Sequence, residues 1–149
     1  MKTMEHTEYN PAKTVLQNVV DHLITTLLPV AVRNNSSFVN DVPSMLNIRG
    51  DGNIVASVIN GLLRSVINNA RETCICISAK EMHGKMIMVA VKDSNSFNTY
   101  AVACSLQDVV PLAKMIGGEL AITNPKQHVT TVAFKFPIDQ QEQNHSPLS

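Results

Sequence analysis

From Pro11 the apolar positions take a helical step. Val15, Val19, His22, Leu23 and Thr26 fall on one face, and Leu16, Val20, Leu27 and Leu28 widen it. Pro11 suits a first helical turn. Pro29 is expected to kink or end the helix unless the pattern resumes through Val32. Asn34 to Ser37 reads as a turn, Ser37–Asp41 and Met45–Arg49 as short strands, and Gly50-Asp51-Gly52 as a turn with Asp51 as N-cap. The clearest periodicity follows. Val55, Val58, Ile59, Leu62, Leu63, Val66, Ile67 and Ala70 recur at steps of three and four and predict a helix over Asn53–Arg71.

Thr73–Met82 and Met86–Val91 predict a hairpin turning at His83-Gly84, with Lys92-Asp93 at its end. Ser94–Thr99 reads as a polar loop. A helix is expected from about Ser105 to Ile116, kinked or started late by Pro111 and ended by Gly117-Gly118. Glu119–Thr123 and Val129–Phe136 are the last strands, joined by a turn at Asn124–Gln127. Paired strands alternating with helices predict an α+β fold: a two-layer α/β sandwich with three helices on one face of a mixed five-stranded sheet. Residues 1–10 are expected to form a disordered tail, 11–137 one domain, and 138–149 a polar tail without core residues.

The chain length of 149 residues fits one domain of that kind. Charge narrows the function. Lys plus Arg and Asp plus Glu number 12 each, and charged residues make up 16% against a usual ~25%. There is no basic run and aromatics are 4%, which argues against nucleic-acid binding. A chain this neutral is expected to associate readily, with a protein partner or with a second copy. The longest apolar stretch, Leu23–Val32, is interrupted by Thr25, Thr26 and Pro29, so no membrane span and a cytoplasmic location are expected. Cys74, Cys76 and Cys104 have neither zinc spacing nor an even count. They are expected to be buried free thiols, the first two on one face of a strand.

The candidate chemistry lies on the central helix and after the hairpin. The helix's second face holds Asn53, Ser57, Asn60, Gly61, Arg64, Ser65, Asn68 and Asn69. Ser and Asn are mediocre helix formers, so this face either lines something polar or is a weakly charged surface.

With Asn69-Ala70 ending that helix, Asp93 ending the hairpin, Gly117-Gly118 before a strand, and Thr130–Pro137 as the last strand, residues 13–137 resemble the ATP-binding domain of sensor histidine kinases. That domain belongs to the GHKL ATPases. The resemblance implies Mg-ATP as ligand, with Asn69 on the magnesium, Asp93 accepting from the adenine amino group, and Thr130 or Thr131 helping to hold that carboxylate. Ser65 falls one helical turn before Asn69 on the same motif, the N-box.

Departures from the family pattern accompany these matches. The N-box glutamate and first asparagine are Gly61 and Ser65 here. The first glycine box, Asp-x-Gly-x-Gly, reads Asp93-Ser94-Asn95-Ser96-Phe97, and of the second only Leu106 fits in Ala101–Leu106. About eleven residues separate Asp93 from Ser105, a short lid. His6 and His22 lack the neighbours of a phosphoacceptor histidine. The resemblance therefore implies a stand-alone ATP-binding domain in two-component signalling with weak or lost nucleotide binding. The alternative is a non-catalytic adaptor of the same fold that binds a receiver domain, a kinase or a sigma factor.

Overall fold

The computed structural model describes residues 14–50, 52–96, 98–126 and 128–139, without the side chains of 124–126. The expectations for Pro11, the Asp51 cap, Phe97 and the outer parts of both tails lie outside these residues. The elements run β1 (Thr14–Val15), α1 (Leu16–Arg33), β2 (Ser37–Asp41), β3 (Asn47–Ile48), α2 (Gly52–Asn68), β4 (Cys74–Met82) and β5 (Met86–Asp93). They continue as α3 (Thr99–Ser105), α4 (Val110–Met115), β6 (Glu119–Lys126) and β7 (Val129–Pro137). The main sheet has the order β2-β4-β5-β7-β6, and β1 pairs separately with β3. The β2–β4 pair is parallel and the others are antiparallel, so the sheet is mixed as expected. The two layers are this sheet and the helices against its inner face.

Alternation along the strands sets the layers. Ile75 and Ile77 of β4, Ile87, Val89 and Val91 of β5, and Val132, Phe134 and Phe136 of β7 are at most 1% exposed. The intervening residues are exposed or half-buried. Helix α2 supplies most of the opposing layer, with Val55, Val58, Ile59, Leu62, Leu63, Val66 and Ile67 buried. Phe134 and Phe136 stack with ring centroids 4.7 Å apart beneath it.

Three expectations are corrected. Helix α1 begins at Leu16 and runs through Pro29 to Arg33. Leu27 and Ala31, on either side of the proline, are both 1% exposed, while the ring itself faces solvent. Burial on one side thus carries the helix past a missing backbone donor on the other. The buried stripe is Leu16, Val20, Leu27 and Ala31, so His22 and Thr26 point outward. The helix drawn from Ser105 to Ile116 is two short helices, which raises the helix count from three to four. The first starts in the supposed loop, capped by Asn98, whose side chain accepts from the Ala101 amide at 3.1 Å. The second has Pro111 in its first turn, where no donor is needed. Order also continues beyond Pro137. Ile138 packs against the core, donates its amide to the Lys85 carbonyl and accepts from the Arg49 amide.

Both α1 and α4 end in Schellman motifs. Ser36 and Asn35 donate to Ala31 and Val32, with Asn35 at φ 52°. Gly118 and Gly117 donate to Ala113 and Lys114, with Gly117 at φ 75°. Asn34, just before the first motif's left-handed residue, reaches across the layers. Its Nδ2 donates to the Ile67 carbonyl at 2.8 Å, and its own carbonyl accepts from the Glu72 amide at 3.0 Å. This bond closes the end of α2 beside the candidate site. Asn34→Ala removes one of two donors to the Ile67 carbonyl, which the Ala70 amide also reaches at 3.2 Å, and is expected to lower stability by about 0.5–1.5 kcal/mol in urea unfolding. Asn34→Asp, which lacks the donor, is expected to do no better. An unchanged midpoint for both would mean the bond contributes nothing.

Candidate functional site

The polar face of α2 divides in two. Asn53, Ser57, Arg64 and Asn68 are exposed. Gly61, Ser65 and Asn69, spaced by four, form a separate stripe leading to the helix's C-terminal end. Asn69 lies one residue past the helix, its amide bonded to the Val66 carbonyl and its Nδ2 donating to the Ser65 carbonyl at 2.8 Å. That leaves the Asn69 Oδ1 without a partner among the described residues. Ser65 is only 5% exposed, and its hydroxyl has no partner among them either.

Asp93 stands at the end of β5, paired in register with Ile75 and Thr130, and is 2% exposed. Its Oδ1 accepts from Thr73 Oγ1 at 2.8 Å and from the Asn95 amide at 2.9 Å. The Asn95 side chain continues to the Arg71 carbonyl at 3.1 Å. A chain of bonds thus runs from Asp93 to the segment just after Asn69. The second carboxylate oxygen, Oδ2, has no donor among the described residues. A buried acceptor in that state calls for a polar counterpart beyond the described residues.

The loop after Asp93 is tied down by hydroxyls. Thr130, 1% exposed, donates to Ser96 Oγ at 2.9 Å and lies 2.6 Å from Thr99 Oγ1. Because the Thr130 proton goes to Ser96, Thr99 donates to Thr130. The Ser96 amide donates to the His128 carbonyl at 2.8 Å. Of the two threonines offered from the sequence, Thr130 therefore lies on the Asp93 face, where it holds the loop rather than the carboxylate. Thr131 turns to the other face, in register with Lys92 and Thr123. The residue that does hold the carboxylate, Thr73, was missed. Its signal was parity: it shares the inward face of β4 with Ile75 and Ile77.

The positions of the second glycine box are filled by ordinary structure. Ala101–Ser105 is helix α3 rather than a glycine loop. A Cβ built on Gly61 would stand 2.5 Å from Val109 Cγ2, 3.3 Å from Cγ1 and 3.5 Å from Cβ. The position that the resemblance gives to the N-box glutamate is thus closed by a buried valine. An open groove of about 810 Å³ lies at the opposite, hairpin end of the sheet, beside Arg49, Glu81, Lys85 and Asp139. It takes in none of the residues just described.

No protein-family model and no curated protein sequence matches the chain. Solved structures do. The catalytic domain of the histidine kinase ThkA superposes with a TM-score of 0.70 at 14% identity, over 90% of this chain and 99% of that one. ThkA in complex with the response regulator protein TrrA gives 0.67 at 15% identity, over 87% and 42%. Full-length ShkA in complex with AMPPNP gives 0.69 at 12% identity, over 88% and 32%. The chain has the fold of histidine kinase catalytic domains. No helix among the described residues is long and apolar enough to cross a membrane.

The Gly61 contact is open to direct measurement. Alanine is favoured over glycine in a helix by about 1 kcal/mol, whereas overpacking costs about 1–3 kcal/mol. Valine is stiff about χ1 and cannot readily swing clear. Gly61→Ala is therefore expected to be net destabilising in urea unfolding. Val109→Ala should relieve the added methyl, giving a coupling of at least about 0.5 kcal/mol in the double-mutant cycle. A stabilised Gly61→Ala would show that the helices have room to spare.

Proposed function

We propose that this chain is a histidine-kinase-type domain of two-component signalling, which binds Mg-ATP weakly and does not itself activate phosphoryl transfer. The observation that carries the reading is the buried Asp93 Oδ2, an acceptor with no donor among the described protein groups. An adenine amino group is a donor of the right kind. Asn69 Oδ1 is a hard oxygen of the type magnesium takes. Ser65 adds a buried hydroxyl on the same stripe, and Thr130 steadies the loop beside the base. The ShkA complex with AMPPNP and the ThkA complex with TrrA support a nucleotide ligand and a receiver-type protein partner.

A second reading is favoured by the Gly61–Val109 packing and by the α3 helix. It is a non-catalytic adaptor of the same fold that docks a receiver domain, a kinase or a sigma factor. The two readings part on nucleotide. Mg-ATP at 100 times its dissociation constant should add about 2.7 kcal/mol of stability.

A thermal shift with millimolar Mg-ATP or Mg-ADP is therefore expected, and its absence would leave the adaptor. Asp93→Asn is expected to abolish the shift. The asparagine must turn its oxygen to the Thr73 and Asn95 donors, which leaves an amide donor facing the base amino group. A shift that survives the substitution would mean the base is read elsewhere.

A further inference from the structure

The strand alternation that buries Ile75 and Ile77 puts Cys74 and Cys76 on the open face of the sheet. All three cysteines of the chain are exposed free thiols, contrary to the buried state expected from sequence. Cys76 has Val39 opposite it on β2 and Lys92 opposite it on β5, and Asp41 lies two pairs further along, on the same face. Its thiol is pushed up, first by partial desolvation, then by the Cys74 sulfur beside it, with Asp41 adding and Lys92 opposing.

We propose that Cys74 and Cys76 form a two-thiolate site for a soft monovalent cation of the copper(I) class, on the sheet face away from α2. Residues two apart on an extended strand have Cα atoms about 6.6 Å apart. That is near the upper limit of about 6.8 Å for a disulfide, so direct S–S bonding would be strained. An ion between the sulfurs, with bonds of about 2.3 Å as in zinc thiolates, spans the wider gap without moving the strand.

The ligand count selects the ion. No group of three or more His, Cys, Asp or Glu able to hold a metal exists among the described residues. Four-coordinate zinc is therefore short of ligands, and a carboxylate-seeking ion finds no cage. Soft thiolates favour copper(I). On binding, each S–H releases its proton to solvent, two metal–sulfur bonds form, and no oxidation state changes. The resulting centre carries one negative charge, and Lys92 stands directly across from Cys76 to offset it. The site is independent of the nucleotide reading.

The test is an anaerobic titration of the reduced full chain with copper(I) against a coloured copper(I) chelator. One equivalent is expected to bind. Cys74→Ser and Cys76→Ser should each weaken binding by more than the ~10–100-fold typical of losing an outer-shell partner. Lys92→Gln should weaken it about 10-fold, and Cys104→Ser should change nothing. Both thiols are exposed, so unchanged unfolding midpoints are expected for the serine variants. Uptake unaffected by Cys74→Ser and Cys76→Ser, loss of uptake on Cys104→Ser, or zinc(II) displacing the ion stoichiometrically would each overturn the site. So would ready formation of a Cys74–Cys76 disulfide by a reduced protein that takes up no metal.

Discussion

The contact of α2 with Val109 at Gly61 is the constraint on which the rest depends. Helix α2 is buried on the sheet side along its length, and only a residue without a Cβ lets the α4 region close on its flank. Once that flank is closed, the stripe Gly61–Ser65–Asn69 has a blocked end and an open end. The blocked end lies where the family resemblance expects an acid. The open end meets Asp93 through Asn95 and the Arg71 carbonyl. Packing and chemistry are therefore decided by the same helix face. A carboxylate at residue 61 would need the valine removed before it could act on anything.

This division gives a physical form to the proposed function. The groups that would read a base are preorganised. Asp93 is fixed by two donors on one oxygen, and the loop behind it by a relay of hydroxyls through Thr130. Preorganisation lowers the ordering cost of binding. The groups that would cradle phosphates are helical, with side chains where glycines would let backbone approach. A domain built this way suits recognition of a nucleotide more than turnover. Its charge balance fits the same description, since little charge is invested in the site. The ion pair of Lys135 with Glu119, at 3.4 Å, is exposed and contributes little to stability.

Much of the architecture was legible in the chain. The period of α2, the alternation of β4, β5 and β7 and the turn at His83-Gly84 follow from patterns that tertiary context reinforces. His83 and Gly84 both take positive φ there, at 56° and 69°. The failures have local causes. Pro29 left open whether the helix ends, kinks or resumes through Val32, because burial at Leu27 and Ala31 cannot be weighed from sequence. Helix α3 was read as loop because Thr99–Ser105 is too short to display a period, although Asn98 is a good N-cap. The cysteines were read as core because cysteine is usually buried, while strand parity with Ile75 and Ile77 already pointed outward. At the site, Ser65, Asn69 and Asp93 were legible as motif positions. Thr73 was legible only in its parity with Ile75 and Ile77, and Asn95 and Ser96 were not, because their bonds reach residues distant in sequence that only the fold brings together.

In the proposed function the Asp93–Asn69 end of the stripe is a built nucleotide site. Residue-resolved NMR of the full chain titrated with Mg-ADP tests it most directly. The amide resonances of Ser65, Asn69, Asp93 and Asn95 are expected to move together, saturating at one equivalent per chain, while His83–Met86 at the far end of the sheet stay still. No movement at millimolar ligand, or movement confined to the groove beside Arg49 and Lys85, would contradict it.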